Sequence, residues 1–111
     1  MSKQPCVYLL ASKRNGTLYI GVTSNLIKRV YEHRTNALAG FTKRNNVNAL
    51  VWYEMHEMME SAVLREKQLN KKWHRRSKIR LIEQHNPEWK DLWYELTSPS
   101  MATGFRQSMP E

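Results

Sequence analysis

Tyr8, Tyr19, Arg29, His33 and Glu66 are the residues of this 111-residue chain whose types could do chemistry together. Phenols and an imidazole can take, give or relay protons. A guanidinium can hold a developing negative charge, and a lone carboxylate suits a hard divalent cation whose shell is mostly water. Phosphodiester cleavage could use such a set. It requires that residues 6 to 35 fold as strand, strand and helix, with a second helix bringing the carboxylate.

The local sequence predicts those elements. Residues 5–12 read as a strand, 13–16 as a turn containing the Asn15-Gly16 dipeptide, and 17–22 as the returning strand. If the turn takes 13–16, Ser12 pairs with Thr17, Tyr8 lies opposite Gly21 and Tyr19 lies opposite Leu10. The two phenols then project from the same face, a diagonal step apart. A two-residue turn shifts the partners but keeps the tyrosines together. Gly21 leaves space beside Tyr8, which a substrate backbone could enter. Paired aromatics also stabilise many hairpins, and taken alone that reading accounts for the pair.

Thr23, Ser24 and Asn25 offer caps for a helix over 26–38. Its apolar arc is Leu26, Ile27, Val30, Tyr31 and Leu38. Arg29 and His33, four apart, stack at the edge of that arc; an ordinary solvated face would also hold them. Residues 39–48 read as a loop and 49–56 as a third strand. A helix over 60–73 sets Ala62, Glu66, Leu69 and Trp73 in one row. An inward carboxylate among core residues is costly unless paired or metal-bound, so Glu66 either meets an arginine or holds a cation. A helix over 77–85 ends before Asn86-Pro87. A short helix over 88–95 carries Trp89, Leu92 and Trp93. Asn86 either adds a polar contact to the site or only shapes its turn.

In order, Tyr8, Tyr19-Ile20-Gly21, Arg29, His33, Glu66 and Asn86 resemble the GIY-YIG nucleases. The resemblance covers about residues 5 to 95. It is closest to the small stand-alone bacterial members, through AVLREKQLNKKW at 62–73 and Asn86-Pro87-Glu88-Trp89. The first motif departs from the pattern, reading Cys6-Val7-Tyr8, and Val22 stands where some members carry a lysine. The resemblance implies an α+β domain, a three-stranded antiparallel sheet flanked by helices. It implies a single Mg²⁺ or Mn²⁺ held by Glu66, and Tyr19 as general base or water-orienting group with Tyr8 in support. It implies that Arg29 stabilises the pentacovalent phosphate and that His33 accepts or relays a proton. A role in DNA repair or processing would fit. The alternative is a nucleic-acid-binding module that has the fold without catalysis.

Eighteen Lys and Arg against ten Asp and Glu give a net charge of +8, which attracts polyanions, DNA foremost. Lys71, Lys72, Arg75, Arg76, Lys78 and Arg80 form one basic group, and Lys28, Arg34, Lys43 and Arg44 a second. They could contact phosphates, or they could be solvated helix faces. Four histidines without ligand spacing and a single cysteine argue against a zinc site. Cys6 reads as a packed residue, and its solitude fits a reducing, cytoplasmic setting. No apolar run approaches the roughly 20 residues that span a bilayer. Residues 1–95 read as one nuclease-like domain and 96–111 as a disordered tail. With no targeting module in sight, specificity would be low or supplied by a protein partner.

Overall fold

The structure, a computed structural model, describes residues 4–35, 46–71 and 74–97. Three antiparallel strands, β1 (Cys6–Ala11), β2 (Leu18–Thr23) and β3 (Ala49–Met55), form a sheet in the order β2-β1-β3. All six residues of β1 are buried. That is why the central strand reads as an unbroken apolar run: helices cover both its faces, so neither face needs polar residues. The hairpin register is the one expected, with Tyr8 opposite Gly21 and Leu10 opposite Tyr19. Ser12 N–H donates to Thr17 O at 3.0 Å. Asn15 takes the left-handed conformation, φ 58°. At Gly16 a Cβ would lie 2.3 Å from Ser12 Oγ, so the turn needs glycine there.

Alternation along β1 divides the core. Cys6, Tyr8 and Leu10 pack with Leu26 and Val30 of α1 (Leu26–Arg34) and with Val47 and Leu50. Val7, Leu9 and Ala11 pack with Ala62 and Leu69 of α2 (Met59–Lys71), with Leu81 and Ile82 of α3 (Arg75–His85), and with Trp89. The Asn25 side chain caps α1 by accepting the Lys28 N–H at 3.2 Å. Cys6 lies wholly inside, and burial pushes its thiol up to about 12.

Two expectations need correction. The apolar arc of α1 is narrower than its composition suggested: Ile27 and Tyr31 are exposed, while Leu26, Val30 and His33 are buried. The last helix, α4, runs Trp93–Thr97 rather than from residue 88. Trp89 adopts φ 57°, and the Asn86 side-chain Oδ1 accepts the Lys90 N–H at 3.0 Å, which fixes a turn where the helix was expected. The expected loop over 39–48 and the tail lie largely outside the described residues, α4 itself carrying the chain to Thr97. Among the described residues no helix is long and apolar enough to cross a membrane.

Candidate active site

Tyr8, Tyr19 and His33 form a three-ring cluster where α1 crosses the hairpin. Their ring centroids are 6.4 Å (Tyr8–Tyr19), 6.0 Å (Tyr8–His33) and 5.4 Å (Tyr19–His33) apart. The Tyr8 hydroxyl and His33 Nε2 are hydrogen-bonded at 3.2 Å. Gly21 makes this possible by its bareness. A Cβ there would stand 2.5 Å from the Tyr8 hydroxyl and ring. The space that Gly21 leaves is therefore filled by the phenol of Tyr8, not kept for a substrate.

The electrostatics of the cluster assign its protons. Burial pushes the Tyr8 phenol far up, Tyr19 adds to this, and the nearby Arg29 guanidinium offsets only part. Tyr8 thus keeps its proton. A protonated phenol can donate to His33 Nε2 when the imidazole carries its own proton on Nδ1. His33 is pushed down from its ordinary value of 6.5, by burial first and then by Arg29, with Glu32 opposing. A neutral imidazole accepting at Nε2 carries its proton on Nδ1.

Tyr8 has no exposed surface, His33 is 4% exposed, and Tyr19 is half-buried. Tyr19 is the phenol that a ligand can reach. Because β2 is an edge strand of the sheet, Tyr19 also opens on a groove of about 260 Å³ lined by Leu9, Leu18, Tyr19, Ile20, Asn70 and Lys78. Two of those residues come from α2 and α3, on the opposite face of the sheet. Asn70 Nδ2 donates to Glu66 Oε2 at 3.3 Å. The carboxylate therefore sits one amide side chain from the groove that holds Tyr19. The sheet edge joins groups that its faces would otherwise keep apart.

Residues 4–88 match the family model for the GIY-YIG catalytic domain. The chain belongs to the GIY-YIG family. A UPF0213 protein of Syntrophus aciditrophicus is 40% identical over 83 residues, which is 74% of this chain and 92% of the relative. One from Staphylococcus haemolyticus is 33% identical over 78 residues, 70% and 93% of the two chains. The solution NMR structure of a UPF0213 protein from Bacillus halodurans shares the fold, with a TM-score of 0.50 at 22% identity, covering 82% of this chain and 95% of that one. This is a small bacterial-type GIY-YIG member with a nuclease-like fold.

Within this GIY-YIG domain the other expected site residues fall in different places. Asn86 is buried beside β3, with its Nδ2 donating to Val51 O at 3.1 Å and to Lys90 O at 2.9 Å. Its amide is spent on backbone, as turn-shaping requires. Arg34 is held by Asp91 at 2.5 Å and by the Tyr94 hydroxyl at 3.0 Å, and its guanidinium lies over the rings of Trp93 and Tyr94. Arg75 donates to the carbonyls of Asn15 and Gly16 at 2.7 and 2.6 Å, clamping the hairpin turn from α3. Lys28, Lys71, Arg76 and Arg80 are exposed, and Lys78 is half-buried in the groove. Lys43, Arg44 and Lys72 lie outside the described residues. Sequence reasoning overlooked Asn70 and Glu32. Glu32 holds Arg29 Nε at 3.3 Å. The i+3 and i+4 spacings on helices already predicted could have found both.

Proposed function

We propose that this GIY-YIG domain is a metal-dependent endonuclease that hydrolyses phosphodiester bonds in DNA. The observation that carries this reading is the ring cluster: a reachable phenol, Tyr19, packs against Tyr8 and His33 on a hairpin whose β2 edge borders a groove also lined by Asn70, the residue that holds the Glu66 carboxylate. Tyr19 orients the attacking water and draws its proton. Arg29, 41% exposed at its side chain, meets the phosphate as negative charge grows on it. Tyr8 is a positioning residue, since its wholly buried hydroxyl holds His33, with the Arg29 charge nearby. His33, neutral at pH 7, is ready to take a proton passed along the cluster. Lys78 and the exposed Lys71, Arg76, Arg80 and Lys28 add sequence-independent phosphate contacts.

The residues present suit a single hard cation. Glu66 is half-buried and offers one oxygen beyond the bond to Asn70, and among the described residues no cluster of three His, Cys, Asp or Glu forms a fuller ligand set. A lone carboxylate supports Mg²⁺ or Mn²⁺, which complete their shell with water and substrate phosphate. Such a cation would neutralise charge on the leaving oxygen.

The experiment is a panel of nicked, flapped, single-stranded and duplex DNA, with matching RNA, incubated with pure protein and Mg²⁺ or Mn²⁺. Cleavage by wild type and its loss in Tyr19→Phe and Glu66→Ala are expected. Binding without turnover, with wild type and both variants alike, would replace the enzyme by a nucleic-acid-binding module.

A further inference from the structure

The basic surface has a counterpart of opposite character. Residues 45–64 contain no Lys or Arg, in a chain with eighteen of them, yet include Glu54, Glu57 and Glu60. The middle of this stretch links the end of β3 to the start of α2. It exposes Met55 (47%), Met58 (58%), Met59 (38%) and Leu64 (62%). Met59, Glu60, Val63 and Leu64 line a groove of about 580 Å³. Apolar groups exposed together on a small domain mark a contact surface. Methionine, unbranched and polarisable, suits a face that must fit varied side chains.

The charges say what fits. Glu54 is already matched, accepting from Arg65 Nε at 3.1 Å and from His56 Nε2 at 2.8 Å. Glu60 lines the groove and Glu57 is exposed in the link just before α2, while Lys67, a turn beyond Val63 and Leu64, stands at the other side. An apolar floor with an acidic side is complementary to a segment carrying lysines or arginines beside its apolar residues, and that side repels nucleic acid. The chain's own basic helix α3 is a poor candidate from a second copy, because its Leu81 and Ile82 are buried in its own core. The groove lies toward the opposite end of α2 from Asn70 and the groove that Tyr19 lines, with Glu66 between them, one turn from Val63. Glu60 and Asn70 are ten residues apart on α2, about 15 Å at 1.5 Å per residue. A partner here leaves the Tyr19 groove open.

We propose that the Met55–Leu64 face is a docking site for a basic amphipathic segment of a partner protein, held while DNA occupies the far end of α2. The site is independent of the nuclease reading. It is tested on the full chain with methionine methyl groups labelled with ¹³C. The probe is a fluorescent Lys/Leu peptide with leucines at spacings of three and four; a Glu/Leu peptide of the same pattern is the control. Expected are saturable micromolar binding of the basic peptide alone, and shifts of Met55, Met58 and Met59 that leave Met1, Met101 and Met109 unmoved. Glu57→Lys with Glu60→Lys should weaken binding by about tenfold or more. Leu64→Gln, an exposed change that leaves the fold intact by circular dichroism, should do the same. The proposal is overturned by non-saturating binding, by equal binding of the acidic peptide, or by full affinity in both variants. It is also overturned if the three methyl groups shift with protein concentration alone as the sedimenting mass doubles, which would make the occupant a second copy.

Discussion

Arg29 and Arg34 stand five residues apart on the same short helix, and their surroundings differ in the way that separates a working group from a structural one. Arg34 is surrounded: a carboxylate, a phenol and two aromatic faces from residues 91–94 engage its whole guanidinium. Asp91 in turn accepts the backbone N–H of Leu50 at 3.2 Å and of Trp93 at 3.1 Å, so the pair ties α1, β3 and α4 together. Arg29 has one carboxylate, supplied by its own helix three residues on, and a phenol below it. An exposed i,i+3 pair is weak, worth a few tenths of a kcal/mol. A phosphate can replace Glu32 at little cost. Nothing small could replace the partners of Arg34.

The largest expected effect follows from that contrast. Arg29→Ala should lower the rate of DNA cleavage by about 10²–10³-fold, the range for losing one preorganised charge-stabilising group, with little change in thermal midpoint. Arg34→Ala should do the reverse. It should cost about 2–3 kcal/mol of stability by leaving Asp91 without its charged partner, while cleavage at a permissive temperature stays within a few-fold of wild type. Urea unfolding and a cleavage time course on both variants decide it. If the two arginines exchange these outcomes, the assignment of the site to the β2 edge is wrong.

Much of this contrast was hidden in the sequence, and the reason is physical. The hairpin register was legible because Asn15-Gly16 fixes the turn and the period of two fixes everything after it. Strand β3 and helix α2 were legible from apolar pattern and length. The α4 start was not, because a side-chain amide from Asn86 overrode local preference. Arg34 and Arg29 look alike in the sequence, since what distinguishes them is Asp91, fifty-seven residues from Arg34. The depth of Tyr8 was also hidden. Alternation gave its face, but only the packing of α1 shows that its hydroxyl meets His33 and leaves no surface of its own. The groove shared by the β2 edge and Asn70 depends on which strand lies outermost, which no local pattern states.

A second prediction compares the buried pair with the exposed surface by pH. His33 has its folded value pushed below 6.5, so well above 6.5 it is neutral in both states and adds no pH dependence to stability. As pH falls below 6.5 the unfolded chain takes up a proton that the folded chain refuses, and stability is lost until the folded value is passed. The loss cannot exceed about 1.4 kcal/mol per pH unit for one proton. In His33→Gln the urea midpoint should therefore fall less steeply between pH 6.5 and 5 than in wild type. Parallel slopes would mean that His33 charges freely in the folded protein, and the donation from Tyr8 to a neutral imidazole would be lost with it.

The smallest expected effect tests the weak side of the comparison directly. If Glu32 merely occupies Arg29 until a phosphate arrives, Glu32→Gln removes a competitor and a negative charge beside Arg29. DNA affinity should rise about two- to five-fold at low salt, matching the roughly 0.2–1 kcal/mol of an exposed pair, and the gain should shrink as salt screens it. The removal of Glu32 also takes away the charge that opposes the lowering of His33, so its imidazole should titrate lower still. Anisotropy with a fluorescent duplex across a salt series reads the first effect, and histidine NMR shifts read the second. A fall in affinity would instead show that Glu32 holds Arg29 in the orientation that binds phosphate, and the open arginine would then be as much a constructed feature as the closed one.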